Sequence, residues 1–181
     1  MQLKTVHKKY IYWSASFISL FVILLTIYYN LGGFNEIQTT ASRNNKYSLA
    51  GKEVKGKLTS KEEHFLFLEM KEYLSEGVLD GTLAIVNYKD NTLGEHESRR
   101  FVGILLENDI SMIPSGLNVL ELQSATTFQA ALTMHPLVMP NTEKVESLLK
   151  ALADEREMEL QDFTLEKLYE DNSVIVEMFA K

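Results

Sequence analysis

The chain has 181 residues, 45% of them hydrophobic, with 25 acids, 18 bases and no cysteine. That length holds one domain of ordinary size plus a short extension, and the apolar fraction argues against intrinsic disorder. Without cysteine there is no disulfide framework, no thiolate metal site and no cysteine nucleophile.

Charge is unevenly placed. Lys4, Lys8 and Lys9 precede Tyr10, and every acid follows Phe34, so the later part sets 25 acids against 15 bases, a net −10. A field of that sign repels nucleic acid and anionic headgroups, and no nucleic-acid partner is expected.

After a flank at residues 1–9, the stretch from Tyr10 to Tyr29 (YIYWSASFISLFVILLTIYY) contains no charge, glycine or proline. As a helix its 20 residues rise about 30 Å, the hydrocarbon thickness of a bilayer. Tyr10, Tyr12 and Trp13 at one end and Tyr28 and Tyr29 at the other resemble an aromatic belt. The alternatives are a cleaved signal peptide and a buried helix. A signal peptide has an apolar core of about 7–15 residues and a small-x-small cleavage site. This run is longer, and Leu31-Gly32-Gly33-Phe34 is a poor cleavage site, so a retained transmembrane helix over 10–29 is expected. Only Arg43 lies in the first stretch after it, so the positive-inside rule puts the N-terminus in the cytoplasm and the domain on the periplasmic or extracytoplasmic side.

Residues 30–46 read as a linker, since Asn35 to Asn45 is polar without an apolar period. A globular domain is expected over 47–181. Tyr47 to Lys57 reads as a strand. Ser60-Lys61-Glu62-Glu63 is a capping box opening a helix to about Gly77, with Leu66, Phe67, Met70, Tyr73 and Leu74 on one face. Leu83–Tyr88 and Phe101–Leu106 read as strands, as does Thr126–Met134. Asn141 caps a helix carrying Val145, Leu148, Leu149 and Leu152 at helical spacing. Phe163–Tyr169 and Ser173–Phe179 form a hairpin around Asp171-Asn172. The order strand–helix–strand–strand thus occurs twice. An α+β fold is expected, a duplicated β-α-β-β domain with two half-sheets joined and both helices on one side. The opposite, concave face would leave a crevice between the halves, a common place for a small-molecule site.

Five segments carry a resemblance when taken in order: YSLAGKEVKGK at Tyr47, LAIVNYKDN at Leu83, ESRRFVGILL at Glu97, MHPLVMP at Met134 and LYEDNSVIVEM at Leu168. Together they resemble the GyrI-like small-molecule-binding domain over about residues 47–180, and the N-terminal span resembles a membrane-anchored subgroup of that family. The resemblance implies the duplicated fold and a ligand crevice lined by aromatic residues. Many members place a Glu-x-Tyr on the penultimate strand to receive cationic drugs. The matching tyrosine here is Tyr169, and the position two before it is Lys167. Alternate residues share a strand face, so Lys167 points with Tyr169 and Glu166 points away unless a bulge intervenes. A lysine there favours an anionic or neutral ligand over a cation.

The candidate ligand-binding residues are therefore Tyr88, Tyr169, Lys167 and Glu166. Tyr88 either stacks on a planar ligand or covers the sheet edge. Arg99 and Arg100 read as structural salt-bridge partners of Asp90 or a neighbouring acid. His64, His96 and His135 show no metal spacing, and His135 before Pro136 suits packing in a turn. Gly103 within a strand suggests a close backbone approach or a bulge. Asp154-Glu155-Arg156-Glu157 suits a solvated helix end. No nucleophile motif, phosphate-cradling loop or zinc-protease motif is present, and no cofactor is expected. The leading expectation is a membrane-tethered, non-enzymatic module that binds or senses a small molecule. The alternatives are a protein-interaction adaptor with a vestigial crevice and a hydrolase of electrophilic compounds acting through Glu166.

Overall fold

The computed structural model describes residues 3–57, 60–90, 92–94, 97–108 and 113–181. The chain forms two compact units, one of residues up to Glu36 together with Met134–Met139, the other of Ile37–Thr133 with Pro140–Lys181. The capping side chains of Ser60 and Glu63, and His96, lie outside the described residues.

The first unit is built on α1 (Leu3–Asn30). From Tyr10 to Asn30 this helix is long and apolar enough to cross a membrane, with a mean hydropathy of 1.9 and none of that stretch buried. Some of its polar side chains bond back to the helix: Ser14 Oγ donates to the Ile11 carbonyl at 3.0 Å and Thr26 Oγ1 to the Val22 carbonyl at 2.8 Å. The helix stops at a left-handed cap. Gly32 has φ +78°, its N–H donates to the Tyr29 carbonyl at 3.0 Å, and the Gly33 N–H donates to the Tyr28 carbonyl at 2.9 Å. A residue with a Cβ is strained there, which gives the glycine pair a purpose in ending the helix. Phe34 then packs edge-on against Tyr28, ring centroids 5.0 Å apart.

The second unit is a closed antiparallel barrel of six strands in the order β1-β3-β2-β5-β6-β4. The strands are β1 (Gln38–Gly56), β2 (Gly81–Tyr88), β3 (Ser98–Leu106), β4 (Asn118–Leu132), β5 (Leu160–Leu168) and β6 (Val174–Ala180). Two helices complete it, α2 (Ser60–Ser75) and α3 (Thr142–Asp154). Each half of the chain supplies strand–helix–strand–strand, and in each the strands lie in the order first, third, second.

The largest departure from expectation is closure. Residues 38–46, read as linker, are the first half of β1, and β4 begins at Asn118 rather than Thr126. The extended strands pair with each other from Gln38↔Ala131 to Gly51↔Asn118. Backbone pairing needs no apolar period, so a polar segment such as Gln38-Thr39-Thr40 serves as strand when a partner edge is available. Closing the sheet removes both edges, and the expected open concave face becomes a barrel interior.

Alternation then sorts the side chains. Leu49, Ala84, Val86, Phe101, Leu122, Phe163, Leu165 and Phe179 form the buried interior cluster. The intervening positions Ala50, Leu83, Val102 and Ile104 face outward and meet Met70 of α2 and Leu79. α3 packs on β4 and β6, burying Val145, Leu149 and Ala153; Leu148, expected on the same stripe, stays exposed. Each fully buried Phe or Leu contributes about 1.5–3 kcal/mol. Asn141 caps α3 as expected, accepting from the Lys144 N–H at 3.2 Å. The β5–β6 hairpin turns through Asn172 at φ +63°, with Asp171 Oδ1 accepting from the Ser173 N–H at 2.9 Å.

Gly51 and Gly103 are register partners. A Cβ on Gly103 would lie 2.5 Å from the Ala50 carbonyl oxygen and 2.9 Å from Gly51 Cα. The glycine in the strand marks a close backbone approach and not a bulge.

Candidate functional site

The interior of the barrel carries a charge pair. Lys167 and Glu177 face inward from β5 and β6, with side chains 9% and 0% exposed, and Nζ lies 2.6 Å from Oε1. Gln129 Nε2 donates to the same Oε1 at 2.8 Å and the Tyr47 hydroxyl donates at 3.3 Å. The ammonium also sits 4.0 Å from the centroid of the Tyr47 ring. Burial pushes the Glu177 carboxyl up, against the opposing pull of Lys167 and the two hydrogen bonds. Burial, followed by the charge of Glu177, likewise holds the Tyr47 phenol well above the usual tyrosine range. Glu177 Oε2 is buried with no hydrogen-bond partner among the described residues.

From Tyr47 a chain of rings crosses the interior: Tyr47 to Phe179 at 5.9 Å, Phe179 to Phe163 at 5.0 Å, and Phe163 to Tyr88 at 6.3 Å. Phe163 lies four residues from Lys167 along β5, about 13 Å. The Tyr88 end of the chain opens into a depression of about 390 Å³ lined by Tyr88, Lys89, Asp90, Arg99, Gln161, Asp162 and Phe163. The Arg99 guanidinium lies over the Tyr88 ring, 4.5 Å from its centroid, while its Nε donates to Glu53 at 2.5 Å. Burial raises the Tyr88 phenol, and the Glu53 charge adds to the rise. Arg99 makes a structural salt bridge to a neighbouring acid as expected: Glu53 lies diagonally across β1 and β3, two positions from Lys55, the register partner of Arg99, while Asp90 pairs with Lys55 at 3.4 Å.

The four candidate residues are thus dispersed. Tyr88 stands at the depression, and Lys167 is enclosed in the interior pair. Tyr169 lies past the end of β5 at the hairpin, 39% exposed, with its N–H donated to the Ser173 carbonyl at 3.0 Å. Glu166 faces outward, where Asn87 Nδ2 donates to it at 3.0 Å. Burial raises its carboxyl and the nearby Glu146 adds to the rise, while Arg100 and the Asn87 bond oppose it. A single site containing all four is not formed.

Sequence reasoning missed Glu177, Gln129 and Tyr47. Glu177 had a signal: one acid inside the apolar run VIVEMFA demands a buried partner. Among the described residues no group of three or more acidic or histidine side chains gathers for a metal ion. The His135 imidazole serves its turn, with Nδ1 accepting from the Leu137 N–H at 3.2 Å.

No family model matches the sequence, and no curated protein matches it. Solved structures do. A chain of the cryo-EM structure of the EcmrR–DNA complex in EcmrR-RPo has 12% identity and a TM-score of 0.56, over 98% of this chain and 69% of that one. A hydrolase from Listeria innocua has 8% identity and a TM-score of 0.53, over 80% of this chain and 92% of that one. A hydrolase encoded by lin2189 from Listeria innocua has 9% identity and a TM-score of 0.51, over 85% and 98%. At these identities the likeness is one of fold, and that fold fits the GyrI-like architecture which the sequence resembles.

Proposed function

We propose that the chain is a membrane-tethered module that binds a small, partly planar molecule without transforming it. The observation that carries this reading is the depression of about 390 Å³ on the Tyr88–Phe163 ring pair. Small-molecule sites commonly run from about 300 to 1,000 Å³, with aromatic walls and a few polar groups. Tyr88 and Phe163 supply the rings, and Arg99, Asp162 and Gln161 supply polar groups at the rim. Of the residues read from the sequence, Tyr88 contacts the ligand in this reading. Lys167 holds the interior pair, and Tyr169 and Glu166 lie outside the depression.

The tether reading rests on α1. Its uncharged stretch from Tyr10 to Asn30 exposes its apolar side chains, and a hydrogen bond of 2.9 Å from the His135 N–H to the Leu31 carbonyl ties its end to a distant part of the sequence. Such a tie suits a retained span better than a leader that is removed. The repeated strand–helix–strand–strand order supports an origin by duplication, and the lysines before Tyr10 support a cytoplasmic N-terminus.

The adaptor reading keeps one observation in its favour: Lys167 and Glu177 pair with each other inside the barrel, and Gln129 donates to the same carboxylate. The hydrolase reading is weaker, because Glu166 faces away from the barrel interior.

A thermal-shift screen of the full chain in detergent separates binding from docking. A ligand at roughly 100-fold its Kd adds about 2.7 kcal/mol to the folded state. Binding predicts a shift from at least one member of a panel of planar cations, anions and neutral compounds, reduced in Tyr88→Ala. No shift across the panel rejects the binding reading.

A further inference from the structure

The unit that holds α1 also holds Met134–Met139, a short loop within the charge-free run from Leu122 to Thr142. It carries no acid and no lysine or arginine, in a region whose net charge is −10 from 25 acids and 15 bases. Leu137 at its tip is 81% exposed, more than any other large hydrophobic side chain among the described residues. An apolar side chain so displayed in water gains nothing from the fold.

The loop is held in place. The His135 N–H donates to the Leu31 carbonyl at 2.9 Å, just past the helix end. A Cβ added at Gly32 would lie 3.3 Å from Met134 Cβ, so the two segments run close together at the cap. Within the loop the Val138 N–H donates to the His135 carbonyl at 2.9 Å, and the Leu137 N–H donates to His135 Nδ1 at 3.2 Å. Leu137 is therefore presented by a closed turn.

The level of that turn matters. Tyr28, Tyr29 and Phe34 cluster at the same helix end, with Phe34 against both tyrosine rings. Rings of this kind sit where hydrocarbon meets headgroup. Leu31 lies about 3 Å of helical rise beyond Tyr29, and an interfacial apolar group embeds about 5–10 Å into the headgroup boundary.

We propose that Met134–Met139 is a second membrane contact, in which Leu137 enters the lipid interface beside Tyr28, Tyr29 and Phe34. The occupant of this surface is the bilayer that receives α1, so the inference rests on the tether reading. The loop restrains the helix end from a point some 100 residues further along the chain, and the anchor has two attachments to lipid instead of one.

The absence of native cysteine makes the test direct. Single cysteines at Leu137, at Ile18 in the middle of α1 and at Glu170 on the exposed hairpin are labelled with an environment-sensitive fluorophore. The full chain is reconstituted into phosphatidylcholine vesicles containing nitroxide lipids, labelled either near the headgroup or deep in the acyl chain. The Leu137→Cys label is expected to be blue-shifted and to lose emission to the shallow nitroxide. The Ile18→Cys label should lose emission to the deep one, and the Glu170→Cys label only to aqueous iodide. A Leu137→Cys label that behaves like the Glu170→Cys label, while Ile18→Cys remains lipid-buried, overturns the second contact and leaves the tether standing. An Ile18→Cys label open to iodide overturns the tether, and the second contact falls with it.

Discussion

Lys167 Nζ lies 2.6 Å from Glu177 Oε1 inside the barrel, and neither side chain is more than 9% exposed. Their desolvation is offset only because the pair is complete and Gln129 and Tyr47 add hydrogen bonds. Lys167→Met is expected to cost about 3–5 kcal/mol, because it leaves a buried carboxylate without its counter-charge. The double variant Lys167→Met/Glu177→Leu should recover most of that loss. Chemical denaturation of the full chain in detergent, run as a double-mutant cycle, measures both. A double variant as unstable as the single one would contradict the pair as the source of the effect.

Glu166 gives a pH dependence. Its carboxyl is raised above the ordinary 4.5, first by burial and then by Glu146. A raised folded-state value means the folded chain holds the proton more tightly than the unfolded one. The contribution to stability is then fully present below 4.5 and is lost as pH rises through the raised value. Glu166→Gln keeps the side-chain shape and removes the titration. The stability of wild type relative to Glu166→Gln should fall as pH rises from 4.5, and thermal melts across that window check the slope. A flat difference, or one of opposite sign, rejects it.

Gly103 and Gly51 set the spacing of β1 and β3. Since a Cβ on Gly103 meets the Ala50 carbonyl oxygen at 2.5 Å, and backbone cannot swing aside as a side chain does, Gly103→Ala should destabilise by about 1–3 kcal/mol. Gly94→Ala is the control, because among the described residues its Cβ meets nothing closer than 3.7 Å; it should stay within about 0.5 kcal/mol of wild type. Equal effects at the two sites would show that close approach is not the cause.

At the depression, the ring of Tyr88 and not its hydroxyl is assigned the stacking role. For any ligand found in the thermal-shift screen, Tyr88→Phe should retain affinity and Tyr88→Ala should lose about tenfold, the upper end of an aromatic pair's contribution. Titration calorimetry on both variants decides. A Tyr88→Phe variant as weak as Tyr88→Ala would move the contact from the ring to the hydroxyl.

Some elements were legible because their signal is local. Asn141 ahead of a helical stripe, the Asp171-Asn172 turn and the uncharged run from Tyr10 to Tyr29 each state their structure within a few residues. Half of β4 was also there to be read, since Leu120 and Leu122 alternate with Glu121 and Gln123. The first half of β1 was not: Gln38–Lys46 carries no alternation, and its strand character comes from the partner it meets. The candidate site was legible only in part, because alternation put Lys167 and Glu166 on opposite faces but did not say what either would meet.

The sequence by itself determined the apolar helix, the acidic domain that follows it, and the repeated order of strand and helix, because periodicity and charge are properties of neighbours along the chain. Only the tertiary structure decided that the sheet closes, that Lys167 finds Glu177, and that Tyr88 stands at an open depression while Tyr169 does not. Those outcomes depend on register between distant strands. Moving one strand by a single residue would turn every inward side chain outward without changing a letter of the sequence.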